Sequence, residues 1–195
     1  YAALATFILY LLLRRFVARQ PLSQSLRLFA PLFVIGLLGL GMYNAYTPVV
    51  RHQTVFIDKK MDKPLRIGVA SDLHLGILFG ARQLDKLTDI MKQEQVDMVL
   101  LPGDLMDDTV DAYLKENMKP HLQKLTAPMG VYATLGNHDW FRDQNRIKHE
   151  LEAAGLTVLA NQVLEVNGVL LVGLIDDLDS KRPIAEQILE CQNTE

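Results

Sequence analysis

Hydrophobic and polar positions follow two different patterns along this chain. Up to about residue 50 two long apolar runs flank a short stretch whose charges are all arginine. Beyond it, short apolar runs alternate with polar turns and amphipathic stretches. Residues 28–46, LFAPLFVIGLLGLGMYNAY, are nineteen positions without a charge, about the length a helix needs to span a bilayer. Pro31 lies in the first turns, where proline is tolerated. Gly36, Gly39 and Gly41 suit close helix packing, and Tyr43 and Tyr46 suit the interface. A buried core helix is the alternative, but so long an uncharged run exceeds most globular helices. The earlier run at 2–13 is only twelve residues. The pattern therefore predicts spans over about 1–13 and over 28–46, the first with its missing turns upstream of Tyr1. Two apolar runs flanking an arginine loop are the wrong order for a secretory signal.

After a connecting segment at 51–64, with a candidate edge strand at 54–57, the pattern changes to that of a folded domain. A strand is predicted over 66–71 and a strongly apolar one over 96–101, with another over 131–135. Leu84, Leu87, Ile90 and Met91 recur at helical spacing and predict a helix over 82–94. Leu114, Met118 and Leu122 predict one over 111–125, kinked at Pro120. A third is expected over 144–154, with Asp143 as N-cap and Gly155 as the stop. Asn167-Gly168 between two apolar runs, 162–166 and 169–175, is a tight-hairpin signal. A last helix is predicted to start near Pro183. Strand and helix in alternation predict an α/β domain with a mainly parallel sheet, which binds ligands at the carboxyl ends of its strands.

Charge sharpens the division. The first 50 residues hold four charges, all arginine, so the other 16 basic and all 23 acidic residues fall in the remainder, a net of −7. An acidic domain is not one that binds nucleic acid through bulk charge, and no nucleic-acid partner is expected. Arg14, Arg15, Arg19 and Arg27 form a short loop without acids, which favours its cytoplasmic side and places the domain outside the cell membrane. The single Cys191 excludes an intrachain disulfide and a cysteine zinc cluster.

Three polar motifs follow three predicted strands. The first is Ser71-Asp72-Leu73-His74-Leu75-Gly76. In extended chain, residues two apart point the same way, so Asp72 and His74 can converge on one metal ion. The second is Gly103-Asp104-Leu105-Met106-Asp107-Asp108, where Asp104 is placed to bridge two cations. Asp107 or Asp108 is then left to cap the next helix or orient a ligand. The third is Gly136-Asn137-His138-Asp139, which offers a carbonyl oxygen, an imidazole and a carboxylate able to fix the tautomer of that imidazole. Each alone reads as an ordinary turn. Their spacing does not: Asp72 to Asn137 is covered in steps of 32 and 33 residues, about one βα unit each. All three therefore fall on one rim of one sheet. Oxygen and imidazole donors without thiolate suit Mn, Fe or Zn. His52, His121 and His149 have no motif around them, and Met91, Met106 and Met118 are expected in the core.

SDLHLG, GDLMDD and GNHD resemble the first three signatures of the calcineurin-like metallophosphoesterases, and the apolar start resembles the membrane-attached bacterial branch of that family. The resemblance covers about residues 65–195. It implies a four-layer αββα sandwich behind membrane-spanning helices, and two divalent metal ions as cofactors. Asp72 and His74 would bind the first metal, Asp104 would bridge both, and Asn137 would bind the second. His138 would contact the phosphate or leaving group, and Asp139 would orient His138. The family completes its site with further histidines, including a Gly-His-x-His motif. No histidine follows His149 here, so the resemblance implies a catalytic domain whose C-terminal part is missing and a span 1–195 that is inactive alone.

The function expected is hydrolysis of phosphoester or pyrophosphate bonds by a hydroxide bridging two metals. A domain tethered about eighteen residues from the bilayer meets membrane substrates at raised local concentration, which favours a lipid-linked phosphoester. The alternatives are a phosphatase of soluble nucleotides or phosphoproteins, and a non-catalytic membrane-tethered binding module.

Overall fold

The computed structural model of the chain describes residues 19–58, 63–141 and 143–174. It divides into two units, Tyr1–Val55 and Phe56–Glu195. The first contains helix α1, Arg19–Tyr46, which carries Pro31 within it. From residue 31 on its leucines and isoleucine are exposed: Leu32, Ile35 and Leu38 are each about two thirds exposed, and Leu37 and Leu40 about half. Among the described residues no helix is long and apolar enough to cross a membrane. The expected span at 1–13 lies outside the described residues. The expected edge strand at 54–57 does not form. Its backbone has no ladder partner, and Val55, Phe56 and Ile57 are exposed.

The second unit is built on four parallel strands in the order β1 (Ile67–Val69), β2 (Met98–Pro102), β3 (Val131–Thr134) and β4 (Thr157–Val158). The helices between them are α2 (Ala81–Gln93), α3 (Asp111–Lys115), α4 (Lys119–Leu122), α5 (Asn137–Phe141) and α6 (Gln144–Ala153). Successive strand residues point to opposite faces, and both faces of the central strands are covered, as a parallel sheet requires. Val99, Leu101, Val131 and Ala133 share one core with Leu84, Tyr113, Leu122, Ile147 and Leu151 of the helices. Met98 and Tyr132 face the other way, into a smaller cluster with Leu159, Leu164 and Leu171. That cluster is closed by the antiparallel hairpin β5 (Gln162–Val166) and β6 (Val169–Gly173). The α/β class and the parallel sheet are as expected. The described residues supply helices, a parallel sheet and a two-stranded second sheet, and no fourth layer.

Local chemistry explains the departures. The helix expected over 111–125 is two short helices. Pro120 has no N–H for a preceding carbonyl and sits in the first turn of α4, and Asn117 turns the chain beforehand at φ 47°. Two residues, Thr157–Val158, are too few for periodicity to reveal a strand. Asp143 does stand at the start of α6, but its carboxylate makes no capping bond. It accepts from Arg146 Nη1 at 3.1 Å instead. Gly155 ends α6 at φ 96°, and Asn167-Gly168 at φ 48° and 79° makes the two-residue hairpin turn that only such residues adopt readily. Met91, Met106 and Met118 are core residues. The strand end at Ile175 and the helix expected from Pro183 lie outside the described residues.

His121 has a structural partner. Asp85 of α2 takes His121 Nδ1 at 2.8 Å and Lys124 Nζ at 2.8 Å, tying α2 to α4. The Lys124 hydrogen bond, then that from His121, holds the Asp85 carboxyl below its ordinary 3.8. A depressed carboxylate contributes stability above its unfolded pKa, and the contribution is lost as pH falls through the folded value. The variant Asp85→Asn should therefore melt at a lower temperature than the wild type at pH 6, by a small margin because the pair is solvated. The margin should shrink on acidification below 3.8. Thermal unfolding at several pH values checks this, and a margin that is flat with pH would show that the charge is not what matters.

Candidate metal centre

The three motifs leave the carboxyl ends of β1, β2 and β3, and the loops continue the register of the strands. His74 N donates to Asp104 O at 3.0 Å, Leu75 N to Leu105 O at 2.8 Å, and Gly103 N to Thr134 O at 3.2 Å. This is how motifs spaced one βα unit apart in sequence become neighbours in space.

The loops are strained where the motifs fall. Asp72, His74, Asp104 and Asp108 all have positive φ, at 54°, 42°, 51° and 59°. The left-handed region is costly for residues with a Cβ, of order 1–3 kcal/mol each, and least so for Asp and Asn. Such outliers persist only where surrounding bonds hold them, and here they coincide with the polar motifs. Gly136 is needed for a different reason: a Cβ there would overlap the Asp104 carboxylate and backbone nitrogen. Only glycine lets the third loop lie so close to the second.

The result is a convergence. Ligand atoms of His74, Asp104 and His138 lie within 4.8 Å of one another, all half-buried. The His74 and His138 rings meet edge to face, with centroids 4.8 Å apart. Asp104 Oδ1 also accepts the His138 backbone N–H at 3.0 Å, at the start of α5. Two imidazoles and a carboxylate without thiolate are the donor set of a borderline or hard divalent cation, so these residues fit the divalent metal that the sequence implies.

Not every expected residue is in the cluster. Asp72 is exposed and is not among the grouped ligands. The expectation that Asp72 and His74 point the same way assumed extended chain, and both residues are left-handed instead. Asn137 opens α5, half-buried.

The role expected of Asp139 is corrected. It does not orient His138. It is fully buried and accepts three backbone N–H bonds, from Met106 at 2.8 Å, Leu105 at 3.0 Å and Gly136 at 3.0 Å. Burial pushes its pKa up, and the three amides pull it back only in part. Asp139 staples the second loop to the third. The residue at the His138 ring is Asp108, whose Oδ1 lies 2.7 Å from Nδ1. That hydrogen bond is the main cause of a raised His138 pKa, reinforced by the nearby charges of Asp104, Asp108 and Asp107. The sequence offered Asp107 and Asp108 as equal candidates for orienting a ligand. Only the turn at Asp108 separates them.

A parallel α/β sheet with His74, Asp104 and His138 gathered at its carboxyl rim has the donor set of a divalent-metal site. Residues 65–191 match the calcineurin-like phosphoesterase family, and the chain belongs to it. An uncharacterized metallophosphoesterase of Helicobacter pylori is 30% identical over 165 residues, covering 84% of this chain and 44% of that protein. The Bacillus subtilis protein YkoQ, also an uncharacterized metallophosphoesterase, is 32% identical over 173 residues, 83% of this chain and 60% of its own length. A zebrafish (Danio rerio) protein named as a transmembrane protein with a metallophosphoesterase domain is 30% identical over 125 residues, 60% of this chain and 28% of its own. The chain thus spans about half the length of the bacterial relatives it matches.

Proposed function

We propose that the protein hydrolyses phosphoesters at a divalent-metal site on this rim, and that the whole protein is held at a membrane. The observation that carries the first part is the approach of His74, Asp104 and His138, from three separate loops, to within 4.8 Å of one another. A bound pair of Mn, Fe or Zn ions would supply Lewis acidity towards the phosphoryl oxygens and a hydroxide nucleophile at neutral pH.

The protein residues divide the remaining work. His74, Asp104 and Asn137 are the metal-holding groups, joined by Asp72 if its side chain turns inward. His138 is held by Asp108 through Nδ1, which leaves Nε2 as the nitrogen to donate a proton or hydrogen bond to the leaving oxygen. Asp139 keeps the two loops in register, so that His138 and Asp104 meet the substrate preorganised.

Membrane attachment is supported by the uncharged residues 31–46 of α1, whose apolar side chains are largely exposed, since a helical stretch apolar all round belongs in a protein core or in lipid. Tethering favours a lipid-linked phosphoester as substrate, and the acid-free loop of Arg14, Arg15, Arg19 and Arg27 favours the external side for the domain. The test is hydrolysis of a chromogenic phosphodiester by the protein at its natural length, in membrane and soluble fractions, with Mn²⁺ and with chelator. The expected result is turnover that follows the membrane fraction, is lost on chelation and is restored by Mn²⁺. Turnover indifferent to chelator would end the metal mechanism, and activity confined to the soluble fraction would end the anchoring.

A further inference from the structure

Two adjacent carboxylates of the second loop face two different histidines. Asp108 Oδ1 lies 2.7 Å from His138 Nδ1, and Asp107 Oδ1 lies 4.0 Å from His74 Nδ1. The left-handed turn at Asp108 separates the directions of the two side chains. The backbone around Asp107 is pinned to the loop that carries His74. Leu75 and Met106 form a bridge, Asp107 N donates to Leu75 O at 3.3 Å, and Thr109 N donates to Asp107 O at 2.7 Å. Gly76 makes room for the side chain: a Cβ there would meet Asp107 Cβ at 3.2 Å and Oδ2 at 3.3 Å. The Asp107 carboxylate thus lies against the His74 loop by construction.

We propose that Asp107 is the positioning residue for His74, holding its ring by Nδ1 so that Nε2 is the nitrogen offered to a metal beside Asp104. The inference rests on the metal-site reading above. A ligating imidazole has one nitrogen for the metal, and the partner of the other sets its tautomer and ring plane. His138 has such a partner in Asp108, and Asp107 is the carboxylate placed to do the same for His74. A separation of 4.0 Å is longer than a hydrogen bond, and a small side-chain rotation closes it. Room for rotation exists, since the two side chains are 37% and 63% exposed. The same exposure means that Asp107→Asn removes no buried side chain, and a melting curve recorded beside each binding isotherm separates loss of fold from loss of binding. The edge-to-face contact of the two rings couples them, and Asp107 and Asp108 together fix the pair from outside.

The test is Mn²⁺ binding by calorimetry in the full chain, for wild type, Asp107→Asn, His74→Ala, the double variant, and Asp111→Asn as a control that removes an equal charge nearby. Asp107→Asn should weaken Mn²⁺ binding about 10–100-fold, Asp111→Asn should not, and the double variant should bind no worse than His74→Ala alone. Long-range ¹H–¹⁵N spectra of the metal-free chain should show His74 with its proton on Nδ1, and a mixed tautomer in Asp107→Asn. Wild-type affinity in Asp107→Asn, additive losses in the double variant, or an unchanged tautomer overturns the positioning role. Absence of Mn²⁺ binding by the wild type, or an indifferent His74→Ala, overturns the metal-site reading instead.

Discussion

Asp104→Asn is expected to reduce phosphodiester turnover of the natural-length protein by at least about 10³-fold, the scale of losing a central electrostatic group at a site of this kind. Asn is the informative replacement. It tolerates the left-handed backbone that Asp104 occupies at φ 51°, and its side-chain carbonyl still accepts the His138 N–H that Asp104 Oδ1 takes at 3.0 Å. The fold and the start of α5 are therefore retained, and what is lost is the negative charge between His74 and His138. Metal content should fall with the rate. His138→Ala gives the contrast. If His138 acts on the leaving oxygen, its loss lowers turnover while metal stays bound. If it acts as a ligand alongside His74 and Asp104, both fall together. Turnover within tenfold of wild type in Asp104→Asn would remove this carboxylate from the mechanism.

Asp139→Asn is the second large effect, and it acts on the structure first. Three N–H donors share two carboxylate oxygens, and an amide supplies only one acceptor oxygen. With the amide oxygen placed to serve Leu105 and Gly136, its NH₂ faces the Met106 N–H, and a buried donor is left without a partner. That costs about 1–3 kcal/mol, offset in part by removal of a desolvated charge. Asp139→Ala leaves three such donors and should cost more. The expected outcome is a clear loss of thermal stability for Asn and a larger one for Ala, with turnover falling in the same order as the second and third loops lose their register. If Asp139 served His138 instead, activity would fall with stability intact, and a melting curve alongside the assay distinguishes the two cases.

Much of the architecture is legible in the chain because its signals are local. Continuous apolar runs at 98–101 and 131–133 mark strands covered on both faces, and Asn167-Gly168 marks a turn few other pairs can make. Helix spacing of Leu84, Leu87 and Met91 is equally direct. The misreadings arise where local pattern competes with context. The stretch 54–57 has β-forming residues but no neighbour to pair with. Residues 111–125 have helical spacing, but the absent N–H of Pro120 divides the helix. Residues 137–141 look like a polar loop yet form a helical turn, because the carboxylates of Asp139 and Asp104 gather the amides there.

The sequence by itself determined the class of the fold and the rim to which its polar motifs go, because strand and helix periodicity and the 32- and 33-residue spacing of the motifs are properties of the chain alone, and the motifs SDLHLG, GDLMDD and GNHD carried the resemblance to the family. It also determined that the motifs offer a metal oxygen and imidazole donors, since the single Cys191 lies outside all three. The tertiary structure decided which carboxylate meets the His138 ring. The sequence left Asp107 and Asp108 as equals and gave Asp139 to His138. Asp108 takes that place at 2.7 Å because a left-handed turn there parts it from Asp107, and close approach of the third loop over Gly136 buries Asp139 among backbone amides from two loops. Directions of side chains on tight loops depend on backbone angles and on the neighbouring loop, and neither is written in the order of residues.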